Sequence, residues 1–315
     1  MKQSFSVINN LLLTHGINPR NKLGQNFLID HNTLDIVVNV GEVTREDAVL
    51  EVGPGTGILT QRLVEAAGFV LSVELDRRFA ELICSQIPQG ERFELHLGDI
   101  LAGKNQIDPA VLGKLKEGGA RAGCKRWKLV ANLPYSVATP VLTNLLLGEV
   151  AWERLVGMVQ WEIAERFVAL PGTDHYGGLA ALIASMADAR IVRKVPPTVF
   201  YPRPKVDSAI LEVRPNYEKR TKVEGRLASS PINISGCLAF RHFLRDLFVH
   251  RRKNVRGALI AMPDALPKPQ VDALLADFPF PPESRAEDLD PATLLELCAR
   301  WREKLSNGQQ ESESP

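Results

Sequence analysis

The sequence predicts an α/β protein built on a doubly wound sheet, with a smaller C-terminal helical domain. Three observations predict it. Short apolar runs alternate with helical patterns through most of the chain, as βα units do. A glycine-rich segment, Glu51-Val52-Gly53-Pro54-Gly55-Thr56-Gly57, follows the first run. Polar residues close successive runs at Glu74, Asp99 and Asn132, on the carboxyl edge where such sheets bind ligands.

The elements follow in order. Residues 48–52 (Ala-Val-Leu-Glu-Val) form a short apolar run before glycines, which suits a buried parallel strand. Residues 58–66 read as a helix, Phe69 to Val73 as a second strand, and Phe93 to Leu97 as a third that runs into Gly98-Asp99. Lys128 to Ala131 makes a fourth strand and sets Asn132 at its carboxyl end. Leu142, Leu145 and Leu146 share one helix face and read as core. Leu155 to Val159 is the fifth strand and Ile210 to Val213 a late one. These elements place a ligand-binding domain in residues 1–215. Residues 216–235 are polar and read as a linker, 236–305 as helical, and the polar tail 306–315 as disordered.

Bulk properties narrow the class. With 38 basic and 37 acidic residues the net charge is +1, so nucleic-acid binding has to come from local clustering. The four cysteines, Cys84, Cys124, Cys237 and Cys298, lie far apart; a disulfide framework or a zinc site is not expected, and a reducing compartment is. The six histidines show no metal-ligand spacing, so no metal is expected. Trp127, Trp152, Trp161 and Trp301 read as packing residues. No apolar run is long enough to cross a bilayer, and no secretion signal is evident; a cytoplasmic protein is expected.

Glycines at 53, 55 and 57 allow a tight turn close to a ligand, with the next helix offering amide donors from its N-terminus. A dinucleotide fingerprint would need a third glycine where Ile58 stands, and no Gly-Lys-Ser/Thr ending supports a phosphate loop. Glu74, 21 residues beyond Gly53, is at the distance of a carboxylate that accepts from ribose hydroxyls. Asp99 is placed to accept from an adenine amino group. The plainer alternative is that both carboxylates cap turns or helices.

Asn132-Leu133-Pro134-Tyr135 is the most informative stretch. With the glycine loop it points to a pocket for S-adenosylmethionine beside one for a flat nitrogen nucleophile. An exocyclic adenine amine is a poor nucleophile because its lone pair is delocalised into the ring. The Asn132 side-chain oxygen and a backbone carbonyl near Leu133 or Pro134 would accept from that amine as it becomes tetrahedral. Pro134 stiffens the loop and has no competing amide donor. Tyr135 offers a stacking face worth about 1–3 kcal/mol. Catalysis is then alignment plus preorganised acceptors, with no side-chain general base. The plainer alternative is a strand ending in an Asn-x-Pro turn.

These residues resemble the ribosomal RNA adenine N6-dimethyltransferases, in order from about residue 20 to residue 290. The likeness runs from Leu23-Gly24-Gln25-Asn26-Phe27-Leu28 through the glycine loop, Val73-Glu74-Leu75-Asp76, Gly98-Asp99 and Asn132 to Tyr135. It continues through Tyr176-Gly177, Pro196-Pro197-Thr198-Val199-Phe200 and Arg203-Pro204-Lys205-Val206-Asp207-Ser208-Ala209 to Arg251-Arg252-Lys253 and Arg285-Ala286-Glu287. The run from Arg203 to Ala209 is similar to the housekeeping branch, which modifies small-subunit rRNA. The resemblance implies a Rossmann-like class I methyltransferase sheet. It also implies that Asn26, Leu28, Gly53, Glu74, Asp99 and Asn132 bind S-adenosylmethionine, and that Tyr135 and Phe200 sandwich a flipped adenine. The implied product is N6,N6-dimethyladenosine at two adjacent adenosines of the 3′-terminal hairpin of small-subunit (16S) rRNA, made in a pre-ribosomal 30S particle by a monomer. Alternatives are large-subunit rRNA methylation, a non-catalytic assembly factor and DNA adenine methylation. Two departures stand out: Gly178, where the family often has Arg, and Val249-His250 in place of a polar pair.

At 100° per residue, Arg241, Arg245, Arg252 and Arg256 fall on one side of a single helix, beside an apolar face of Phe243, Leu244, Leu247, Phe248 and Val255. With Arg251 and Lys253 they are the expected RNA contacts. The alternative is a solvated face with local ion pairs, for which Asp246 is the only acid nearby in sequence.

Overall fold

A computed structural model describes residues 5–17, 26–103, 106–228 and 234–312. Leu23, Gly24 and Gln25 of the first motif lie outside the described residues. The strands are β1 (Phe27–Leu28), β2 (Asp47–Val52), β3 (Phe69–Glu74), β4 (Phe93–Leu97), β5 (Leu101–Gly103), β6 (Gln106–Ile107), β7 (Arg126–Asn132), β8 (Trp152–Gln160), β9 (Ala187–Val195), β10 (Phe200–Tyr201) and β11 (Ser208–Pro215). The helices are α1 (Phe5–Thr14), α2 (His31–Gly41), α3 (Ile58–Ala66), α4 (Arg77–Gln86), α5 (Pro109–Arg121), α6 (Ala138–Leu147) and α7 (Trp161–Val168). They continue with α8 (Gly178–Ala184), α9 (Tyr217–Leu227), α10 (Gly236–Val249), α11 (Val255–Ile260), α12 (Lys268–Leu275) and α13 (Pro291–Ser312).

Seven strands form the central sheet in the order β4-β3-β2-β7-β8-β11-β9. From β4 to β8 they pair in parallel. The chain builds outwards from β2 in one direction and then from β7 in the other, so the strand order switches between β2 and β7. That switch point is where a doubly wound sheet opens a crevice. β11 returns antiparallel to β8, with Ser208 opposite Gln160 and Val213 opposite Leu155. All six residues of β2 and of β3 are buried, the pattern of parallel strands covered on both faces. Leu142, Leu145 and Leu146 are buried on α6 as core.

Local chemistry fixes the element ends. Asp30 caps α2 by accepting from the Thr33 amide at 2.8 Å and its hydroxyl at 2.6 Å. Glu42 ends that helix at φ 44°, a left-handed conformation uncommon for a side-chain-bearing residue. Its carbonyl accepts from Lys128 Nζ at 2.7 Å and its carboxylate from Arg154 at 2.6 Å, which hold it there. At the amino edge of the sheet, buried Lys128 meets buried Asp47 at 3.1 Å, and Arg154 meets buried Glu212 at 3.1 Å.

The chain divides into two compact units. One comprises residues 1–164 and 190–215, the other 165–189 and 216–315. Three expectations are corrected. Residues 165–189, expected in the first domain, group with the second unit, where α8 packs on α10. A Cβ on Gly178 would lie 3.2 Å from the Leu244 carbonyl, so the missing side chain permits that approach. Within the expected linker, residues 217–227 are helix α9. Asn216 caps it through the Lys219 amide, and Val223 and Leu227 bury its inner face. In the expected disordered tail, α13 continues to Ser312. The edge strand β9 went unread because Asp188, Arg190, Arg193 and Lys194 break its apolar pattern.

Within the second unit, the Tyr176 hydroxyl donates to the Leu289 carbonyl at 2.9 Å, and its ring meets Phe248 edge-on at 6.2 Å. The Glu224 carboxylate accepts from the Gly236 and Cys237 amides at the start of α10, at 2.6 and 3.3 Å. Arg226 clasps Glu296 through Nε and Nη2, at 2.8 and 3.0 Å.

Candidate active site

The crevice at the switch point is walled by the glycine loop, the ends of β3, β4 and β7, and the strand β1. Gly53, Gly55 and Gly57 have φ of 71°, 58° and 79°, a left-handed path open to glycine. Two of them are also held by space. A Cβ on Gly53 would stand 2.7 Å from Pro134 Cγ, and one on Gly55 would stand 2.8 Å from Phe27 Cδ1. The Gly53 amide donates to the Val73 carbonyl at 2.9 Å, which ties the loop to β3.

Three carboxylates sit in this wall. Glu51, on β2, is 1% exposed. Its Oε2 accepts from the hydroxyls of Thr60 at 2.8 Å and Ser72 at 2.6 Å, while Oε1 is buried without a hydrogen-bond partner. Burial pushes its carboxyl up to about 7, against the lowering effect of those two hydroxyls. Glu74 is also largely buried, and burial raises it too; amides of Asp76, Gly55 and Leu75 oppose the rise. Asp99 is exposed at the crevice mouth, with Oδ1 accepting from the Leu101 amide at 2.9 Å. Glu74 and Asp99 thus both line the crevice and hold local turns, so the two readings of their carboxylates are compatible.

Asn132 ends β7 with its Nδ2 donating to the Asn26 main-chain carbonyl at 3.1 Å. A carbonyl only accepts, so the amide nitrogen has to face it, and Oδ1 becomes the acceptor Asn132 offers. Leu133 is buried, and its amide donates to the Met158 carbonyl at 3.2 Å. The Pro134 carbonyl takes the Val137 amide at 3.0 Å. Tyr135 is half-buried, with its hydroxyl 2.6 Å from Ser208 Oγ. Burial raises its phenol above the usual range.

The structure brings Asn26, Leu28, Gly53, Glu74, Asp99, Asn132, Leu133, Pro134 and Tyr135 to one crevice. Phe200 is the exception. β10 pairs with β1, setting Phe200 opposite the crevice residue Leu28, and the ring packs into the core behind the lining with 3% exposure. Sequence reasoning missed Glu51 and the hydroxyls of Thr60 and Ser72. A carboxylate inside an otherwise apolar strand was the signal for Glu51. It also missed Ser208 as the anchor of Tyr135, although the motif ending Asp207-Ser208-Ala209 contains it.

The single basic helix is corrected. α10 stops at Val249, His250 caps it, and Asn254 starts α11 by accepting from the Gly257 amide. Arg241 and Arg245 share α10, Arg251 to Lys253 occupy the turn, and Arg256 belongs to α11. Folding also supplies acids that are remote in sequence. Arg256 pairs with Asp272 at 2.9 Å through its second nitrogen, and Arg251 with Glu287 at 3.1 Å, while Arg245 pairs with Asp246 at 2.8 Å. Arg252 and Lys253 are exposed and have no ion pair among the described residues.

A parallel sheet with the antiparallel strand β11 inserted before its edge strand, and a glycine loop at its switch point, is the class I methyltransferase fold. A family profile described as "Ribosomal RNA adenine dimethylase" matches residues 16–265, and the chain belongs to that family. "Ribosomal RNA small subunit methyltransferase A" of Pelotomaculum thermopropionicum is 36% identical over 260 residues, covering 81% of this chain and 82% of its own. The protein of that name from Leuconostoc mesenteroides is 33% identical over 296 residues, covering 93% and 94%. Among solved structures, a dimethyladenosine transferase from Plasmodium falciparum aligns with a TM-score of 0.65 at 22% identity, over 86% of this chain and 95% of that one. The 23S rRNA methyltransferase ErmE aligns at 0.58 and 22% identity, over 87% and 99%. At these identities the two structures speak for the fold alone.

Proposed function

We propose that the protein transfers methyl groups from S-adenosylmethionine to N6 of two adjacent adenosines in the 3′-terminal hairpin of small-subunit rRNA, giving N6,N6-dimethyladenosine during ribosome biogenesis. The observation that carries this reading is the fixed amide of Asn132, whose acceptor oxygen is set at the crevice by the Asn26 carbonyl. The names of the relatives point to the same substrate.

The crevice fits such a donor. Gly53 and Gly55 let the loop pack against Pro134 and Phe27 along the crevice wall, the buried Glu51 Oε1 has no hydrogen-bond partner, and Glu74 and Asp99 supply acceptors for hydroxyl and amino groups. Asn26, Leu28, Gly53, Glu74, Asp99 and Asn132 would hold it. When bound, it supplies a methyl group made electrophilic by a positively charged sulfur.

The chain's own residues do the rest. Asn132 Oδ1 and the Leu133 carbonyl accept from the adenine amine, drawing its lone pair out of the ring and favouring the tetrahedral form. Between the two candidate carbonyls Leu133 is the better choice, because that of Pro134 already receives the Val137 amide. Tyr135, held by Ser208, presents a fixed ring face for stacking. Phe200 would join a sandwich only on leaving its packed position. Arg252 and Lys253 are the cations best placed to meet phosphates without first breaking an ion pair. The protein acts as a cytoplasmic monomer on a pre-ribosomal 30S particle.

Incubation with labelled donor and either immature small subunits or naked large-subunit RNA tests this reading. Dimethyladenosine in the small subunits alone is expected. Label in the large-subunit RNA would redirect the substrate, and label in neither would favour an assembly factor.

A further inference from the structure

Glu51 is a buried carboxylate that the methyl-transfer chemistry above does not use. It sits in the crevice wall at the end of β2, directly before the glycine loop. Its two oxygens differ. Oε2 is saturated by two hydroxyl donors from different elements, Thr60 of α3 and Ser72 of β3. Oε1 is buried and receives no hydrogen bond. An unpaired buried acceptor is costly, and an ionised one costs more, so such a group stays protonated until a donor or a cation arrives.

Among the described residues, no cation neighbours Glu51 to do this from within. β3 contributes Ser72 and the like-charged Glu74, α3 contributes Thr60, and the neighbouring residues of β7, Leu129 to Ala131, are apolar. Glu74 raises the cost of ionising Glu51 further. The crevice is therefore built with a carboxyl whose charge depends on what enters beside it.

Resting on the reading that the crevice takes S-adenosylmethionine, we propose that Glu51 is a specificity-determining residue that ionises as the cationic donor binds and thereby favours it over the neutral-sulfur product. The step balances: Glu51 passes one proton to solvent and becomes a carboxylate, and its negative charge faces a ligand carrying one net positive charge. The product, S-adenosylhomocysteine, has lost that sulfonium charge with its methyl group. It gives Glu51 less reason to ionise, so product binds more weakly and leaves more readily as pH rises. The apo carboxyl, pushed up to about 7 by burial, places this exchange near neutrality.

The test is calorimetry on the full chain with S-adenosylmethionine and with S-adenosylhomocysteine, in buffers of different ionisation enthalpy. At pH 6.5 the wild type is expected to release most of one proton on binding the donor and much less on binding the product. The ratio of the two affinities should rise about tenfold from pH 6 to pH 8, as linkage through one group titrating near 7 requires. Glu51→Gln should abolish the release and flatten the ratio. Ser72→Ala, which removes a donor to the carboxylate, should move the midpoint to higher pH and keeps the test open where Glu51→Gln does not fold. His96 on β4 is a second titratable group, its imidazole lowered by burial, so His96→Asn is the control and should leave the release intact. Donor binding with no proton release, release that survives in Glu51→Gln, or release lost in His96→Asn overturns the proposal while the donor reading stands. Failure of the wild type to bind either ligand overturns both.

Discussion

The side chain of Asn132 and the main chain of Asn26 meet at 3.1 Å, 106 residues apart in sequence, and this contact decides which way the asparagine amide points. With Nδ2 committed to a carbonyl, Oδ1 is presented as an acceptor before any substrate arrives. Preorganisation of this kind is worth a factor of about 100–1000 where a single donor or acceptor is removed from a reacting centre. Asn132→Ala is expected to lower turnover by about that factor and to keep the fold. Asn132→Asp should be no better, because a carboxylate oxygen would face the Asn26 carbonyl. Single-turnover methyl incorporation, with circular dichroism as the control for folding, measures both.

Gly53 combines φ of 71° with a Cβ position 2.7 Å from Pro134. Gly53→Ala therefore meets a backbone penalty of about 1–2 kcal/mol and a clash with the very loop that carries Asn132. Relief of the clash pushes Pro134 away, so donor affinity and turnover should fall together, each by at least about tenfold. A variant that loses stability alone and keeps both would show that the two loops are not coupled.

In the proposed function Tyr135 serves through its ring, and the 2.6 Å contact of its hydroxyl with Ser208 Oγ aligns that ring. Tyr135→Ala should cost about 1–3 kcal/mol of substrate binding, the range for losing a stacked base. Tyr135→Phe and Ser208→Ala keep a ring but release its anchor, and both should show a smaller loss of the same size. Equal effects in the two anchor variants, and no further loss in the double variant, are the signature of one hydrogen bond.

How much of this was legible in the sequence follows from how local each signal is. β2, β3 and β7 are short runs with buried centres, and β3 and β7 end on Glu74 and Asn132, so their existence and the placement of those two residues could be read directly. The edge strand β9 and helix α9 carry charges on exposed faces, which hid them as loop and linker. The crevice residues were found because glycine loops and strand ends are positional. The pairing of Asn132 with Asn26, of Tyr135 with Ser208, and of Glu51 with Ser72 joins residues 106, 73 and 21 positions apart, and no spacing rule announces them. The basic stripe failed for the reverse reason. Extending one helical wheel from Arg241 to Arg256 ignored the capping residue Asn254, and the acids Asp272 and Glu287 arrive only on folding.

That correction changes which arginines matter. Arg256 is engaged by Asp272, so a phosphate contact would first have to break an ion pair, whereas Arg252 and Lys253 are exposed. Replacing Arg252 and Lys253 together with Ala should weaken rRNA binding and reduce the slope of log affinity against log salt by about 2. Arg256→Ala should change the slope by much less. Filter binding of small-subunit rRNA across a salt series reads both numbers, and a larger slope change for Arg256→Ala would reverse the assignment.

Glu51 also makes the stability of the free protein depend on pH in an unusual direction. Its carboxyl titrates near 7 in the folded chain, against an ordinary value of 4.5 in the unfolded one. Below 4.5 both states hold the proton, and the stabilisation of the protonated folded form is complete. Between 4.5 and 7 the folded state binds one proton more than the unfolded, so stability falls as pH rises, and the loss is complete above 7. Paired carboxylates such as Glu296, held down to about 2 by Arg226 and Arg300, act in the opposite sense, losing stability only as pH falls towards 2. The measurable quantity is therefore the difference between wild type and Glu51→Gln, which removes the ionisation but keeps a group able to accept from Thr60 and Ser72. Denaturant unfolding of the ligand-free proteins from pH 5 to pH 8 should show the variant gaining on the wild type by on the order of 1–3 kcal/mol across that range. Saturating S-adenosylmethionine should shrink the gap, because a cation beside Glu51 stabilises the charge that burial penalises. A gap that is flat with pH, or that widens with the donor bound, would mean that Glu51 is already ionised in the free crevice.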